Sequence, residues 1–380
     1  MTLSVRGAMA LAVAVCATVL AGCSGDPVSA PPAALSDPAG LSNDVQSLDA
    51  PFGATVLQSF SAVGGATPLN ARTTSFLAAM APTRPALTLR ATGTTRKQVF
   101  AVRALRPAFS TAAPAGPGSL IPDSLWGRVY VWDTSTGEYV EGATTGGPAT
   151  GVRFTLYAID PLTNTPAEPL NPIGYADLSD ESSTSQYKLG VLVAGPSTTY
   201  ADYLITATAT ASSFTASAVG YVTDGTHRLD FSNSASASST HIAIDFTLGL
   251  NQPAVTARLQ AALNVGNPTS VLTLTFVVTR GSETVALTGT LAATVNQSSS
   301  SATANLTVTV NTSRFATITG TIASGSTVGY TFNGPDRALT ASERAAVDEL
   351  MTAPSTIAAT TGPVFAPAED LIGSSYTLGL

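Results

Sequence analysis

The sequence predicts a mainly β protein: a large curved antiparallel sheet, a meander of half-barrel-like form, with a few short helices packed on it. From about residue 125 onward the apolar residues recur with a period of two, the spacing that sets alternate side chains on one face of a strand. The intervening positions are largely Thr, Ser and Asn, so one face is built for burial and the other for water. The strand-like stretches are separated by turns too short to hold a crossover helix, which favours hairpins over βαβ units. A sheet of many such strands accumulates twist and curls, and short helices on either side of it in sequence are available to fill the hollow.

In chain order, the first residues read as an export signal, residues 1–22. Arg6 is the only charge in the first 25 residues, and "AMALAVAVCATVLAG" forms an apolar core of 15 residues. That is short of the ~20 that span a bilayer. Leu20-Ala21-Gly22-Cys23 closes the core and resembles the lipobox of bacterial lipoproteins, a resemblance that covers residues 1–23 only. It implies cleavage before Cys23, acylation of that cysteine (palmitate among the chains) and a lipid anchor in the bacterial cell envelope. Ser24, in place of aspartate, implies the outer membrane. The chemistry agrees, since Ala21 and Gly22 suit a narrow peptidase pocket and a thiol is nucleophilic enough to take a diacylglycerol. Cleavage would remove Cys16, leaving no cysteine for a disulfide, a metal or a catalytic thiolate.

Residues 23–45 then read as a flexible tether. Within them "SGDPVSAPPAALSDPAGLS" carries four prolines among small residues, a composition that spaces and does not pack. Residues 46–118 form a helical and basic segment. Asp49 can cap a helix, Pro51 suits its first turn, and Phe52, Val56, Leu57, Phe60 and Val63 recur at helical spacing before Gly64-Gly65. A second short helix is expected at 73–81, strands at 86–106, and a loop at 110–119.

Residues 119–335 are the expected sheet domain. It opens with "LWGRVYVWD", and Asp224-Gly225 marks a tight hairpin further on. Ile242, Ile244, Phe246 and Leu248 alternate with His241, Asp245 and Thr247; Val285, Leu287 and Leu291 alternate with Thr284, Thr288 and Thr290. The stretch 254–265 has helical composition, but Val255, Leu259, Leu263 and Val265 also fit period two, which favours a strand. Residues 336–380 begin with a helix signalled by the Thr340/Glu343 capping box and end in a proline-rich tail expected to be irregular.

Charge excludes one class of partner. The net charge is −7, and nucleic acid requires clustered cations. The charge is uneven: residues 51–122 hold seven cations (Arg72, Arg84, Arg90, Arg96, Lys97, Arg103 and Arg106) and no acid, against 20 acids and nine cations from 123 onward. The basic stretch either faces anionic lipid or polysaccharide, or packs on the acidic remainder.

Motifs for chemistry are weak. Ser185-Gln186-Tyr187-Lys188 matches S-x-x-K, but it runs into a strand pattern that separates serine from lysine, and no K-T-G accompanies it. Nucleophile elbow, zincin and phosphate-loop signatures are missing. His227 and His241 are the only histidines and are expected on solvated strand positions. Asp177, Asp180 and Glu181 are the densest carboxylates and read as a solvated loop. A calcium site there lacks the EF-hand spacing. Trp126, Tyr130, Trp132 and Tyr139 could stack on sugar, but an aromatic stripe more often packs in a core.

These readings lead to a non-catalytic envelope lipoprotein with a structural or interaction role. Its expected contacts are the membrane, through Cys23, and an envelope protein, glycan or lipid. No cofactor or metal is expected, and no ligand-binding residue can be named. The first alternative is a carrier of a lipid or other apolar ligand in the hollow of the sheet, an architecture shared with periplasmic lipoprotein carriers. The second is an envelope hydrolase on a β scaffold. A hollow sheet favours the carrier, a cleft with two convergent carboxylates favours the hydrolase, and a filled core leaves the first reading.

Overall fold

The computed structural model describes residues 33–377, apart from 64–117, 161, 164, 211–212, 239, 267–268, 296–299, 324–328 and 335–337. The lipobox with Cys23, the helix expected at 73–81 and the strands expected at 86–106 lie outside the described residues. Among those described, three α-helices, α1 (Pro38–Ser47), α2 (Thr55–Val63) and α3 (Ala341–Thr377), accompany a 15-stranded sheet. The fold is mainly β and the sheet is open.

The chain divides into two compact units. The first, in its described part, is residues 49–63, 118–232 and 359–377. It contains β1 (Arg128–Asp133), β2 (Glu138–Thr145), β3 (Gly151–Tyr157), β4 (Ile159–Asp160), β5 (Thr165–Pro166), β6 (Pro172–Asp180), β7 (Tyr187–Ala194), β8 (Thr199–Ala209) and β9 (Ser213–Thr223). The second is residues 33–48 and 233–358. It contains β11 (His241–Leu250), β12 (Val255–Asn264), β13 (Thr269–Arg280), β14 (Glu283–Val295), β15 (Ser300–Val310), β16 (Ser313–Ala323) and β17 (Gly329–Asn333). The boundary falls inside β10 (Arg228–Ser238) and inside α3. Strand order is β17 through β6 in sequence, then β3, β1 and β2; β4 and β5 form a separate pair.

The meander departs from pure antiparallel pairing once. β1 pairs with β2 antiparallel but with β3 parallel. The chain leaving β2 crosses the start of β1, where Gly146 and Gly147 donate to the Gly127 carbonyl. A Cβ on Gly147 would lie 2.6 Å from the Arg128 carbonyl oxygen, so only glycine lets the crossing stay this close.

In the second unit β12 follows strict alternation, as its pattern predicted. Ile244, Phe246 and Leu248 on β11, Leu272, Leu274 and Phe276 on β13, and Val285, Leu287 and Leu291 on β14 are all buried. On the other face Thr275, Thr288, Thr307 and Thr317 stand side by side across β13 to β16. The buried stripes of α1 (Leu41, Val45) and of α3 (Val347, Leu350, Met351) complete this core. α1 is fastened at the β13–β14 turn: Ser36 N–H donates to Glu283 Oε1 at 2.7 Å, and Arg280 pairs with Asp44 at 3.1 Å. The Gln46 amide reaches Glu349 of α3.

α1 corrects the expected tether of 23–45. Asp37 caps it, its side chain accepting from Gly40 N–H, and Pro38 sits in the first turn. Proline lacks a donor that this position does not need, so Pro38 starts a helix where composition suggested a spacer.

In the first unit α2 lies against β3, β6, β7 and β8, and the 3-10 turn Ala50–Gly53 against β9. Val56, Leu57, Phe60 and Val63 of α2 are buried, and Ser59 Oγ accepts from Tyr157 N–H. The second half of α3 brings Phe365 edge-on to Tyr203 of β8 and Phe231 of β10. The Tyr203 hydroxyl donates to the Val364 carbonyl at 2.7 Å.

That contact explains the second correction, a continuous 37-residue helix where the tail was expected to be irregular. Pro354, Pro363 and Pro367 each remove a helix donor, and each costs about 3 kcal/mol in an isolated helix. Burial of Ile357, Val364, Phe365 and Ala368 offsets this, because tertiary packing outweighs propensity. The opening of α3 is as expected: Thr340 N–H donates to Glu343 Oε2 at 2.8 Å and Glu343 N–H to Thr340 Oγ1 at 3.3 Å.

Single-faced burial has a direct test. Leu287→Ala removes a fully buried side chain and is expected to cost about 2–5 kcal/mol in denaturant melts. Thr288→Ser, on the opposite face, is expected to stay within ~0.5 kcal/mol of wild type. Comparable losses from both would show that both faces are buried.

Candidate functional site

The S-x-x-K residues fall in the β6–β7 hairpin. Ser185 lies in the turn, where its backbone N–H and its hydroxyl face Ser183 Oγ. Lys188 starts β7 and pairs with Glu181 at 2.5 Å. A strand and a turn replace the helix that would set lysine one turn from serine, so the two side chains take up different partners.

The acidic residues 177–181 are not a loop, which corrects the expectation from sequence: Asp177 and Asp180 belong to β6 and Glu181 follows it. Asp177 takes a bidentate pair from Arg153 at 2.7 and 2.8 Å, with that guanidinium also 3.9 Å over the Tyr175 ring. The paired carboxylate pushes the Arg153 guanidinium up. Asp180 is buried and accepts from Ile121 N–H, from the Ser119 hydroxyl and from Ser182 N–H. These carboxylates therefore fasten three different neighbours and do not converge. Among the described residues no group of three or more His, Cys, Asp or Glu is placed to hold a metal ion.

The histidines occupy hairpin ends. His241 Nδ1 faces Asn264 Oδ1 across β11 and β12 at 3.0 Å. His227 closes the β9–β10 turn, its Nδ1 at 2.8 Å from Asp224 Oδ2. Sequence reading missed this His–Asp contact, although Asp224-Gly225-Thr226-His227 carries its signal: an Asp at the start of a turn accepts from the backbone two or three residues on. Thr226 N–H and His227 N–H both donate to Asp224 Oδ1 at 2.7 Å. Burial pushes the Asp224 carboxyl up, but hydrogen bonds from the His227 ring and from the two N–H groups outweigh it, and the net direction is down. The nearby Thr223 hydroxyl donates to the His227 carbonyl. The arrangement is a capped turn, with no nucleophile delivered to the imidazole.

The aromatic residues separate. Tyr130, Trp132 and Tyr139 are buried and pack with Phe154. The Tyr139 hydroxyl donates to the Thr155 carbonyl, and burial pushes its titration up. Trp126 precedes β1, is 39% exposed, and donates its indole N–H to the Ile121 carbonyl. No shared sugar-stacking stripe results.

What the outer face does present is pairing across strands. Arg258 and Asp245 form a bidentate pair at 3.0 and 2.6 Å, Arg228 pairs with Asp230 and lies 3.7 Å over the Tyr221 ring, and hydroxyls meet at Thr206–Ser217 and Thr208–Thr215. These contacts hold register; exposed pairs of this kind each add little stability. Among the described residues no helix is long and apolar enough to cross a membrane. Comparison with protein-family models, curated proteins and solved structures finds no match.

The Asp224 turn yields a pH test. Its folded carboxyl titrates below the unfolded one, so its stabilisation is present above the unfolded value and is lost as pH falls through the folded one. Asp224→Ala is expected to cost about 1 kcal/mol at pH 7, with the difference from wild type shrinking in acid melts. A pH-independent difference would contradict the assignment.

Proposed function

We propose that this chain is a non-catalytic lipoprotein of the bacterial cell envelope, held to the outer membrane through acylated Cys23 and serving a structural or interaction role. The observation that supports it best is the filling of the sheet's apolar side. In the first unit Phe154, Leu178, Leu189, Val193 and Val222 are fully buried, and in the second Phe276, Val278, Leu287, Val308 and Ile318 are too. A hollow wide enough for an acyl chain admits water-sized probes, so the side chains lining it would have measurable exposure. These have none, which argues against a carrier. The placement of Ser185, Lys188, His227 and His241, each with a local partner, argues against the hydrolase. A rigid sheet with a hydroxyl-rich face suits contact with an envelope protein, glycan or lipid.

The anchor and the filled core are tested together. Cells fed radiolabelled palmitate are expected to label wild-type protein and not Cys23→Ala. Organic extraction of the purified protein is expected to release no stoichiometric lipid beyond the covalent anchor. Label on both proteins, or on neither, contradicts the anchor; a stoichiometric extracted lipid restores the carrier.

A further inference from the structure

β2 has a neighbour on one side only, β1, and its other edge is open among the described residues. On it Val140 is 37% exposed and Glu138 and Glu141 are exposed, while Asp133 stands opposite Glu138. An edge with unpaired amides and an exposed β-branched side chain is a template for another strand, and here carboxylates set its sign. Residues 119–232 hold twelve acids and four cations. Each of those cations is already paired: Arg128 with Glu141, Arg153 with Asp177, Lys188 with Glu181 and Arg228 with Asp230. Nothing in this stretch is left to balance Asp133 and Glu138.

The complement lies just upstream in the chain. Residues 96–106 carry Arg96, Lys97, Arg103 and Arg106 with no acid, and between them Val99, Phe100, Val102 and Leu105. The chain re-enters at Ser119, whose hydroxyl donates to Asp180, and runs through buried Leu120 and Ile121 into β1. The thirteen residues from Arg106 to Ser119 reach about 43 Å when extended. The position outside β2 lies only two strand spacings of about 5 Å from β3, well within that reach. We propose that residues 96–106 of this chain dock along the open edge of β2, their backbone hydrogen-bonded to it and their cations set against Asp133 and Glu138.

Hydrogen exchange of the full-length chain tests this on the peptide covering 138–145. With β1 alone as neighbour, alternate amides of β2 exchange freely. With the edge covered, those amides are expected to exchange on the order of tenfold more slowly or better, and 1 M salt is expected to return part of that exchange in the wild type. Combined R96E, K97E, R103E and R106E is expected to open the edge while β6 and β7 keep their protection; adding D133R and E138R is expected to close it again. Free exchange of alternate β2 amides in the wild type overturns the proposal without any variant. So does protection that ignores both salt and charge reversal. Protection of 96–106 that arises only on adding phosphatidylglycerol vesicles, with β2 still open, assigns the segment to the membrane surface and overturns it as well.

Discussion

A strand that alternates Leu, Ile, Val or Phe with Thr, Ser or Asn can bury one side only, and the buried side needs a cover. In each unit of this protein the cover is helical. α2 and the later part of α3 close the first unit, where Phe60, Phe154 and Phe365 are fully buried. α1 and the earlier part of α3 close the second, around Phe276 and Leu287. Each such side chain contributes roughly 1.5–3 kcal/mol when fully buried. With charged residues at 11% of the chain and the described ion pairs largely exposed, no other interaction has that weight.

The remaining features follow from that burial. α3 accommodates three prolines because its apolar stripe is held down, and the Tyr203 hydroxyl meets a carbonyl in the turn that Pro367 disturbs. α1 is short, and its seat comes from Arg280 and Glu283 at one hairpin end. Inside the sheet, Gly289 has φ +151, and a Cβ there would lie 2.1 Å from the Asn305 carbonyl oxygen. Glycine at that position lets β14 and β15 stay in register around it.

How much of this is legible in the residues depends on the range of the signal. Period-two alternation is local, and it placed Ile244, Leu263, Leu287 and Val308 on the buried face. The Thr340/Glu343 box is equally local and marked the start of α3. The parallel β1–β3 pair was not legible, because it depends on a glycine loop crossing another strand. The helix through Pro363 and Pro367 was not legible either, since only contact with Tyr203 and Phe231 outweighs their propensity. Asp180 read as part of a solvated loop for the same reason: its partners Ser119 and Ile121 are about sixty positions away. No constellation for catalysis was read from the sequence, and Ser185, Lys188, His227 and His241 each proved to have a local structural partner.

If the sheet of the second unit depends on α3 as its cover, helix and strands must open together. Native-state hydrogen exchange on the intact chain measures this directly, by comparing amides of residues 341–353 with those of β13 and β14. The account predicts opening rates that agree within about tenfold and respond alike to denaturant, as one cooperative unit. Helix amides exchanging a hundredfold or more faster, with the strands still protected, would show that the apolar face survives uncovered and would contradict it.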